Sequence, residues 1–135
     1  SFTGIEPKVV ITTPTGQFHE LGALMAAALV SVDGWLPVYL GPNTPADEIA
    51  ASAVQCSARA VCLSLTYPAD DLRIPTELAR LKSQLARNLP LFVGGAAVSA
   101  HSALISRLGI KSPASFREFR QELRTLRDGQ RETNS

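Results

Sequence analysis

The chain has 135 residues, with thirteen Lys and Arg against twelve Asp and Glu, so its net charge is +1. This length fits one domain with its own hydrophobic core. A net charge so close to zero gives no electrostatic reason to expect that this chain alone binds nucleic acid. No apolar run approaches the roughly 18 residues of a membrane span, and the start lacks the pattern of a signal peptide. We therefore expect a cytoplasmic domain with no membrane contact.

The first half of the chain alternates strand and helix. Residues 8–12 form a β-branched run that predicts a buried strand, and residues 13–18 form a loop with Pro14 and Gly16. A helix is predicted over residues 19–33, and the second strand over 35–40, where Pro37 favours a sheet edge. The helix has apolar residues at helical spacing that we expect to face the core, namely Leu21, Leu24, Met25, Ala28, Leu29 and Val32.

The second half repeats the alternation. Thr44 has the position of a helix N-cap, followed by Pro45 and a helix to about residue 55. The remaining predicted strands are 59–65, 91–93 and a minimal fifth strand at Ile110, and the remaining predicted helices are 75–87, 99–108 and 113–127. The last helix has an inward face of Phe116, Phe119, Leu123 and Leu126, and an exposed charged face that includes Arg120, Arg124 and Arg127.

Repeated β-then-α units with short connections predict an α/β fold. We expect a flavodoxin-like, doubly wound parallel sheet of about five strands, flanked by helices, over residues 1–128, and a flexible tail at 129–135. Such sheets bind ligands at the carboxyl ends of their strands. The two cysteines, Cys56 and Cys62, have a spacing that favours neither a disulfide nor a metal site.

Three short motifs fall on loops at that edge of the predicted sheet. The loop after the first strand leads into Gln17-Phe18-His19-Glu20-Leu21-Gly22. The third strand ends in Ser64-Leu65-Thr66, and the fourth in Gly94-Gly95. Neutral imidazole is a good ligand for cobalt, and glycine lets a flat ligand approach the backbone closely.

The order and spacing of these motifs resemble the cobalamin-binding domain family, whose signature is Asp-x-His-x-x-Gly, then Ser-x-Leu, then Gly-Gly. The resemblance covers residues 8–126. It implies that cobalt exchanges its own dimethylbenzimidazole for His19, and that the displaced nucleotide tail enters a slot between the sheet and the first helix. The cofactor-binding residues that it implies are Gln17, His19, Gly22, Ser64, Thr66, Gly94 and Gly95, with His19 as the metal ligand.

Two segments, residues 19–24 and 39–45, are most similar to the sensory domains of MerR-type transcription regulators, including light-sensing cobalamin-dependent repressors. This resemblance implies a cobalamin-binding sensor domain, DNA binding through a separate N-terminal domain, and a homo-oligomer in the full-length protein. No nucleophile with an adjacent base and orienting carboxylate is visible in the sequence, so we do not expect this chain to be an enzyme.

The sequence departs from the family pattern at three places. Gln17 replaces an acid that would hydrogen-bond the far nitrogen of the histidine; its amide oxygen can accept that bond but adds no charge. Thr66 replaces Leu, and Tyr67-Pro68 follows it, which narrows the expected slot. The helical bundle that covers the upper face of cobalamin has no counterpart in this chain.

Several alternatives stay open at this point. The chain can instead be a corrinoid carrier for a methyltransferase or mutase, or a regulatory interaction domain that binds haem or no cofactor. Gly94-Gly95 can be a tight connection, and Ser64 an ordinary strand-end hydroxyl. Asp70, Asp71 and Glu77 fit a solvated loop and helix start better than a metal site, and His101 fits the outer surface.

Overall fold

The computed structural model describes residues 6–134, and the side chains of residues 6–129. Its strands are β1 Lys8–Thr12, β2 Leu36–Tyr39, β3 Ala60–Ser64 and β4 Leu91–Gly94. Its helices are α1 Leu21–Val32, α2 Ala46–Gln55, α3 Arg73–Gln84, α4 Ser102–Arg107 and α5 Phe116–Asn134, with a 3-10 helix at Val98–His101 before α4. Among these helices, none combines the length and apolar character that a membrane span requires.

The four strands form a parallel sheet in the order β2-β1-β3-β4. This confirms the flavodoxin-like, doubly wound fold, and the edge position expected for the strand with Pro37. The fifth strand is reduced to a single bridge between Phe92 and Lys111. Strand order reverses between β1 and β3, so the loops after these two strands diverge to opposite sides of the sheet and leave a crevice between them.

Both faces of the sheet are covered, because side chains alternate along each strand. On one face, Val10 and Leu63 pack with α2, α3 and α4. On the other face, Val9, Ile11 and Phe92 pack with α1 and α5. The second layer is thinner at α1, since the helix meets the sheet through small side chains.

The predicted inward face of α1 is wrong. Leu21 and Val32 are 71% and 76% exposed, and Leu24 and Met25 are nearly half exposed. The buried positions are instead Ala23, Ala26 and Val30. Apolar residues occupy almost the whole circumference of this helix, so periodicity could not identify the buried face. Close approach to the sheet selects the small side chains.

Ion pairs and hydrogen bonds from three arginines connect α5 to Asp33, at the C-terminal end of α1. Arg120 donates two hydrogen bonds of 2.8 and 2.9 Å to the buried carboxylate of Asp33, and Arg124 lies 3.5 Å from it. Arg127 donates to the backbone carbonyl of Asp33. These three arginines were expected to be a solvated face, so that prediction is corrected. The bond from Arg120 holds the pKa of Asp33 below its usual value, against the opposing effect of burial.

Helix α5 also continues to Asn134, beyond the predicted end at Arg127.

The N-cap predicted for α2 is also wrong. The hydroxyl of Thr44 lies 2.7 Å from that of Thr12, and does not cap the helix. The helix begins at Ala46, whose N–H donates instead to Glu77 of α3 at 3.0 Å. A long-range carboxylate therefore satisfies an orphan donor of the first turn.

Candidate cofactor site

A cavity of about 280 Å³ lies on the α1 and α5 side of the sheet, near its carboxyl edge. Helix α1, strands β3 and β4, and the segment that starts α5 enclose it. The residues that line it include Gly22, Ala23, Ala26, Cys62, Ser64, Thr66, Phe92, Gly94, Gly95, Phe116 and Phe119. Five of the seven predicted site residues therefore meet in one cavity, and their binding roles stay predictions.

One wall consists of alternate residues of β3 and its continuation, which are Cys62, Ser64 and Thr66. Successive side chains of a strand point to opposite faces, so these three all point toward α1. Each lies about 7 Å from the next along the strand. The facing wall is the thin side of α1. A Cβ added at Gly22 would lie 2.7 Å from the Ser64 hydroxyl oxygen, so glycine is what leaves room for that hydroxyl.

The floor of the cavity is apolar. The rings of Phe92 and Phe119 meet edge to face, with centroids 5.6 Å apart. Burial raises the pKa of the Cys62 thiol to about 12, which keeps it protonated and unreactive. Both cysteines are free. The floor can therefore hold a flat hydrophobic ring, but it supplies no charge.

The polar groups of the cavity lie closer to its mouth. The hydroxyl of Thr66 is buried and has no hydrogen-bond partner among the described residues. The Ser64 hydroxyl, on a buried residue, likewise bonds to no described side chain or backbone group. Buried hydroxyls are normally hydrogen-bonded, so the unpaired hydroxyl of Thr66, together with the accessible hydroxyl of Ser64, makes this part of the cavity suited to a polar ligand.

The two glycines that end β4 have different roles. Gly95 has φ +108°, and a Cβ there would lie 2.2 Å from the carbonyl oxygen of Leu65. The backbone itself therefore requires glycine at this position. Gly94, paired with Ser64 in the sheet, has no atom within 4 Å of an added Cβ, and its open side faces the cavity. The tight-connection alternative thus explains Gly95, while Gly94 borders the space for a ligand.

Gln17 is fully buried and has a different partner from the expected one. Its amide oxygen accepts the N–H of Thr66 at 2.8 Å, and its amide nitrogen donates to the carbonyl of Pro68 at 3.0 Å. No hydrogen bond joins it to His19 among the described residues, so the expected contact with the imidazole is absent there. Gln17 instead ties the loop after β1 to the loop after β3.

His19 lies two residues before α1 and is exposed. Its ring contacts the ring of Tyr67 edge to face, at a centroid distance of 5.9 Å. The next residue, Glu20, accepts a hydrogen bond of 2.5 Å from the hydroxyl of Tyr39 at the end of β2. Burial, together with this bond, raises the pKa of Tyr39 to about 12. The histidine loop is thus held between the ends of β2 and β3, with the imidazole open to solvent.

The other polar candidates have structural roles. Asp71 pairs with Arg73, whose hydrogen bonds lower the pKa of Asp71 to about 2. Glu77 accepts from Thr15 and from the first turn of α2. His101 bonds the carbonyl of Ala69 at 2.7 Å, so its assignment to a free outer surface is corrected. Among the side chains of residues 6–129, no group of three His, Cys, Asp or Glu is placed to hold a metal ion.

Sequence reasoning missed part of the cavity lining. Cys62 could have been found, because it lies two residues before Ser64 and shares its face of the strand. The contribution of Phe116, Phe119 and the preceding segment had no local signal, since it depends on how α5 returns across the sheet.

These features fit base-off cobalamin. The exposed imidazole of His19 lies three residues before Gly22 in the chain. Gly22 lines a cavity that has an apolar floor and the unpaired hydroxyls of Ser64 and Thr66. A Cβ at Gly22 or Gly94 would occupy space that a nucleotide tail needs.

Two sequence relatives are repressors from Myxococcus xanthus. The HTH-type transcriptional repressor CarA is 30% identical over 120 residues, which is 87% of this chain and 39% of that protein. The HTH-type transcriptional repressor CarH is 33% identical over 92 residues, or 68% of this chain and 31% of that protein. This chain thus spans less than two fifths of the length of either relative.

Solved structures share the fold. A cobalamin-binding protein from Desulfitobacterium hafniense superposes with a TM-score of 0.75 at 17% identity, covering 90% of this chain and 59% of that one. The monomethylamine corrinoid protein of Methanosarcina barkeri superposes with a TM-score of 0.63 at 19% identity. The match covers 78% of this chain and 50% of that one. The sequence model of the B12 binding domain family matches residues 7–124, and this chain belongs to that family.

Proposed function

We propose that this chain is the cobalamin-binding sensor domain of a cytoplasmic MerR-like transcription regulator, with His19 as the lower ligand to cobalt. The observation that carries the proposal is the cavity lined by Gly22, Ser64 and Gly94, whose Gly22 follows His19 by three residues in the chain. Its volume and apolar floor suit a displaced nucleotide base, and ligands commonly bind at this edge of such sheets.

Each residue has a defined task in this proposal. His19 presents a neutral ring nitrogen to cobalt, and the contact with Tyr67 restricts the orientation of that ring. Ser64 offers its hydroxyl to a ring nitrogen of the base, while Gly22 and Gly94 leave space for the tail. When bound, cobalamin would supply a cobalt-bound group, and the binding of that group or its loss in light would be the signal. The signal can act only through a difference in affinity between two states of the regulator.

The regulator role is supported by the two repressors that match along most of this chain. We propose that DNA is bound by a separate N-terminal domain, that the full-length protein forms a homo-oligomer, and that the domain is not an enzyme. The even charge balance of this chain is consistent with DNA contacts made elsewhere.

The test is a titration with hydroxocobalamin and adenosylcobalamin in the dark, followed by ultraviolet–visible spectroscopy. We expect a base-off, His-on spectrum that His19→Ala abolishes. His101→Ala is the matched control, because His101 contacts Ala69 and does not line the cavity. A spectrum that His19→Ala leaves unchanged would refute ligation by His19.

A second candidate is a corrinoid carrier, which is favoured by the similarity of fold to the monomethylamine corrinoid protein. The buried position of Gln17 weighs against it, because methyl transfer benefits from an acidic partner that controls the proton on the histidine. Methyl exchange between the cobalamin-loaded domain and a methyltransferase would support the carrier.

A further inference from the structure

Residues 18–19, the segment that contains the candidate ligand, are exposed and make no hydrogen bond with any described residue. The residues on both sides of this segment are hydrogen-bonded. Before it, the backbone carbonyl of Gln17 accepts the N–H of Asn43 at 3.1 Å. After it, the carboxylate of Glu20 accepts a hydrogen bond from the hydroxyl of Tyr39 at 2.5 Å. Both bonds lead to β2 or the loop that follows it, so this part of the sheet determines where the segment lies.

The hydroxyl of Tyr39 is a donor with a fixed position. Tyr39 is the last residue of β2 and pairs with Ile11 of β1. Its ring is half-buried against the hydrophobic cluster that α1 and α5 form with the sheet. Burial and the bond to Glu20 raise the pKa of this phenol to about 12, so it stays protonated and donates at neutral pH. A donor on a strand restrains its acceptor more closely than a donor on a loop does.

The side chain of Glu20 does not serve its own helix. Glu20 occupies the N-cap position of α1, but its carboxylate accepts no hydrogen bond from the first turn. It is bonded instead to β2, a different element of the fold. The bond therefore fixes the residue that follows His19 relative to the sheet.

As a cobalt ligand, His19 would need such a restraint. A histidine that binds a metal normally has a partner on its second ring nitrogen, and this partner fixes the orientation of the ring. Gln17 does not have this role here, because its amide is bonded to Thr66 and Pro68. The position of the imidazole therefore depends on the backbone around it, where Glu20 is the adjacent residue on the helix side.

We propose that Tyr39 is a positioning residue for the cobalt ligand, because its hydrogen bond to Glu20 holds His19 where it can reach cobalt. This inference rests on the proposed function. Tyr39 is not among the described residues that line the cavity, so it acts through the segment that contains His19 and not through contact with the nucleotide tail.

The experiment measures the dissociation constant of hydroxocobalamin for the native chain, Tyr39→Phe, His19→Ala and the variant that carries both substitutions. Phe keeps the packed ring and removes only the hydroxyl. We expect Tyr39→Phe to weaken binding about tenfold, the value of one hydrogen bond to a charged group. In the His19→Ala background the same substitution should have no effect, because the ligand that it positions is gone.

Variants of Glu20 separate the hydrogen bond from the charge. Glu20→Ala should weaken binding as much as Tyr39→Phe does, and the two together should weaken it no more than either alone. Glu20→Gln keeps an oxygen that can accept the phenol hydroxyl, so it should lose less affinity than Glu20→Ala. Equal losses for Glu20→Gln and Glu20→Ala would assign the effect to charge and overturn the role of Tyr39.

Thr15→Val is the matched control. It removes another hydroxyl that donates to a carboxylate, that of Glu77 at 2.9 Å, and it lies in the loop after β1. Urea unfolding of the ligand-free proteins should show a modest loss of stability for both Thr15→Val and Tyr39→Phe. Cobalamin binding should weaken only for Tyr39→Phe.

Three results would overturn the positioning role and leave cobalamin binding itself intact. They are no weakening by Tyr39→Phe, equal weakening by Thr15→Val, and weakening by Tyr39→Phe that persists in the His19→Ala background. A native chain that does not bind hydroxocobalamin, or whose binding His19→Ala leaves unchanged, would overturn the proposed function as well.

Discussion

Gly94 and Gly95 are adjacent, yet alanine should affect them in opposite ways. Gly94→Ala should leave the free energy of unfolding within about 1 kcal/mol of native, because nothing stands near the added Cβ. It should weaken cobalamin binding about tenfold, since the methyl group enters the cavity. Gly95→Ala should lose about 3 kcal/mol or more of stability, because its positive φ and the Leu65 carbonyl both oppose a side chain.

Urea unfolding and ligand titration of the two variants measure these effects side by side. Normal cobalamin binding by a folded Gly94→Ala would mean that the tail does not pass Gly94. Normal stability of Gly95→Ala would contradict the strained connection between β4 and the 3-10 helix.

Gln17 provides a second test at the scale of one residue. Gln17→Glu removes the donor to Pro68 and buries a carboxylate, at a cost of about 2–4 kcal/mol at pH 7. Burial raises the pKa of such a carboxyl in the folded state, so stability is retained below the unfolded value near 4.3 and lost as the pH rises. The penalty relative to native should therefore shrink between pH 7 and pH 4.

Urea unfolding at several pH values measures this difference. Gln121→Glu, on the exposed surface of α5, is the matched control and should show a small effect at every pH. A penalty for Gln17→Glu that is independent of pH would argue that shape, and not charge, is what position 17 requires.

At the scale of helices, Asp33 joins the end of α1 to α5. Its pKa is lowered chiefly by Arg120, so its contribution is present above the unfolded value near 3.8 and is lost as the pH falls below it. Asp33→Asn should cost about 1–2 kcal/mol at pH 7, and almost nothing near pH 2.

Thermal unfolding at the two pH values tests this, with Asp128→Asn as the control. Asp128 is exposed and, among the side chains of residues 6–129, pairs only with neighbouring Arg127; such surface pairs contribute little to stability. Equal effects of the two substitutions would show that the Asp33 cluster is no more than a surface ion pair.

Helix α1 also shows which parts of the fold can be predicted from sequence. The sequence predicts strand β1 at residues 8–12, where the structure has it, since a β-branched run between prolines has few alternative structures. The position of α1 was nearly correct, but its buried face was not. With apolar side chains all around the helix, the choice between Leu24 and Ala26 depends on the distance to the sheet, which is a tertiary property.

The same limit applies to the site. The order of the strands brings five of the predicted site residues together in one cavity, namely Gly22, Ser64, Thr66, Gly94 and Gly95. The bonds of Gln17 could not be predicted, because they depend on the path of the loop at Tyr67 and Pro68. The covering of the cavity by α5 depends on long-range packing in the same way.

At the scale of the whole molecule, a ligand in the cavity would join β3, β4, α1 and α5. Cobalamin at 100 times its dissociation constant should stabilise the fold by about 2.7 kcal/mol, which is roughly 8 °C in melting temperature for a chain of this size. Ala26→Leu should remove this shift, because the larger side chain projects into the cavity.

Ala28→Leu is the control, since Ala28 lies on the same helix and is exposed. It should keep the full shift in a thermal melt. Loss of the shift in both variants would indicate that a general change in α1, and not occupation of the cavity, is responsible.

Gln17 also contacts a third loop, the one that follows β2. Its backbone carbonyl accepts the N–H of Asn43, and its side chain accepts the N–H of Thr66, so three loops share a single buried residue. The amide protons of Asn43 and Thr66 lie outside the sheet, yet both are bonded to Gln17, and that of Asn43 is bonded to the Thr13 hydroxyl as well. Hydrogen exchange should therefore be slow and correlated at both sites, and the edge that surrounds His19 opens as one cooperative unit.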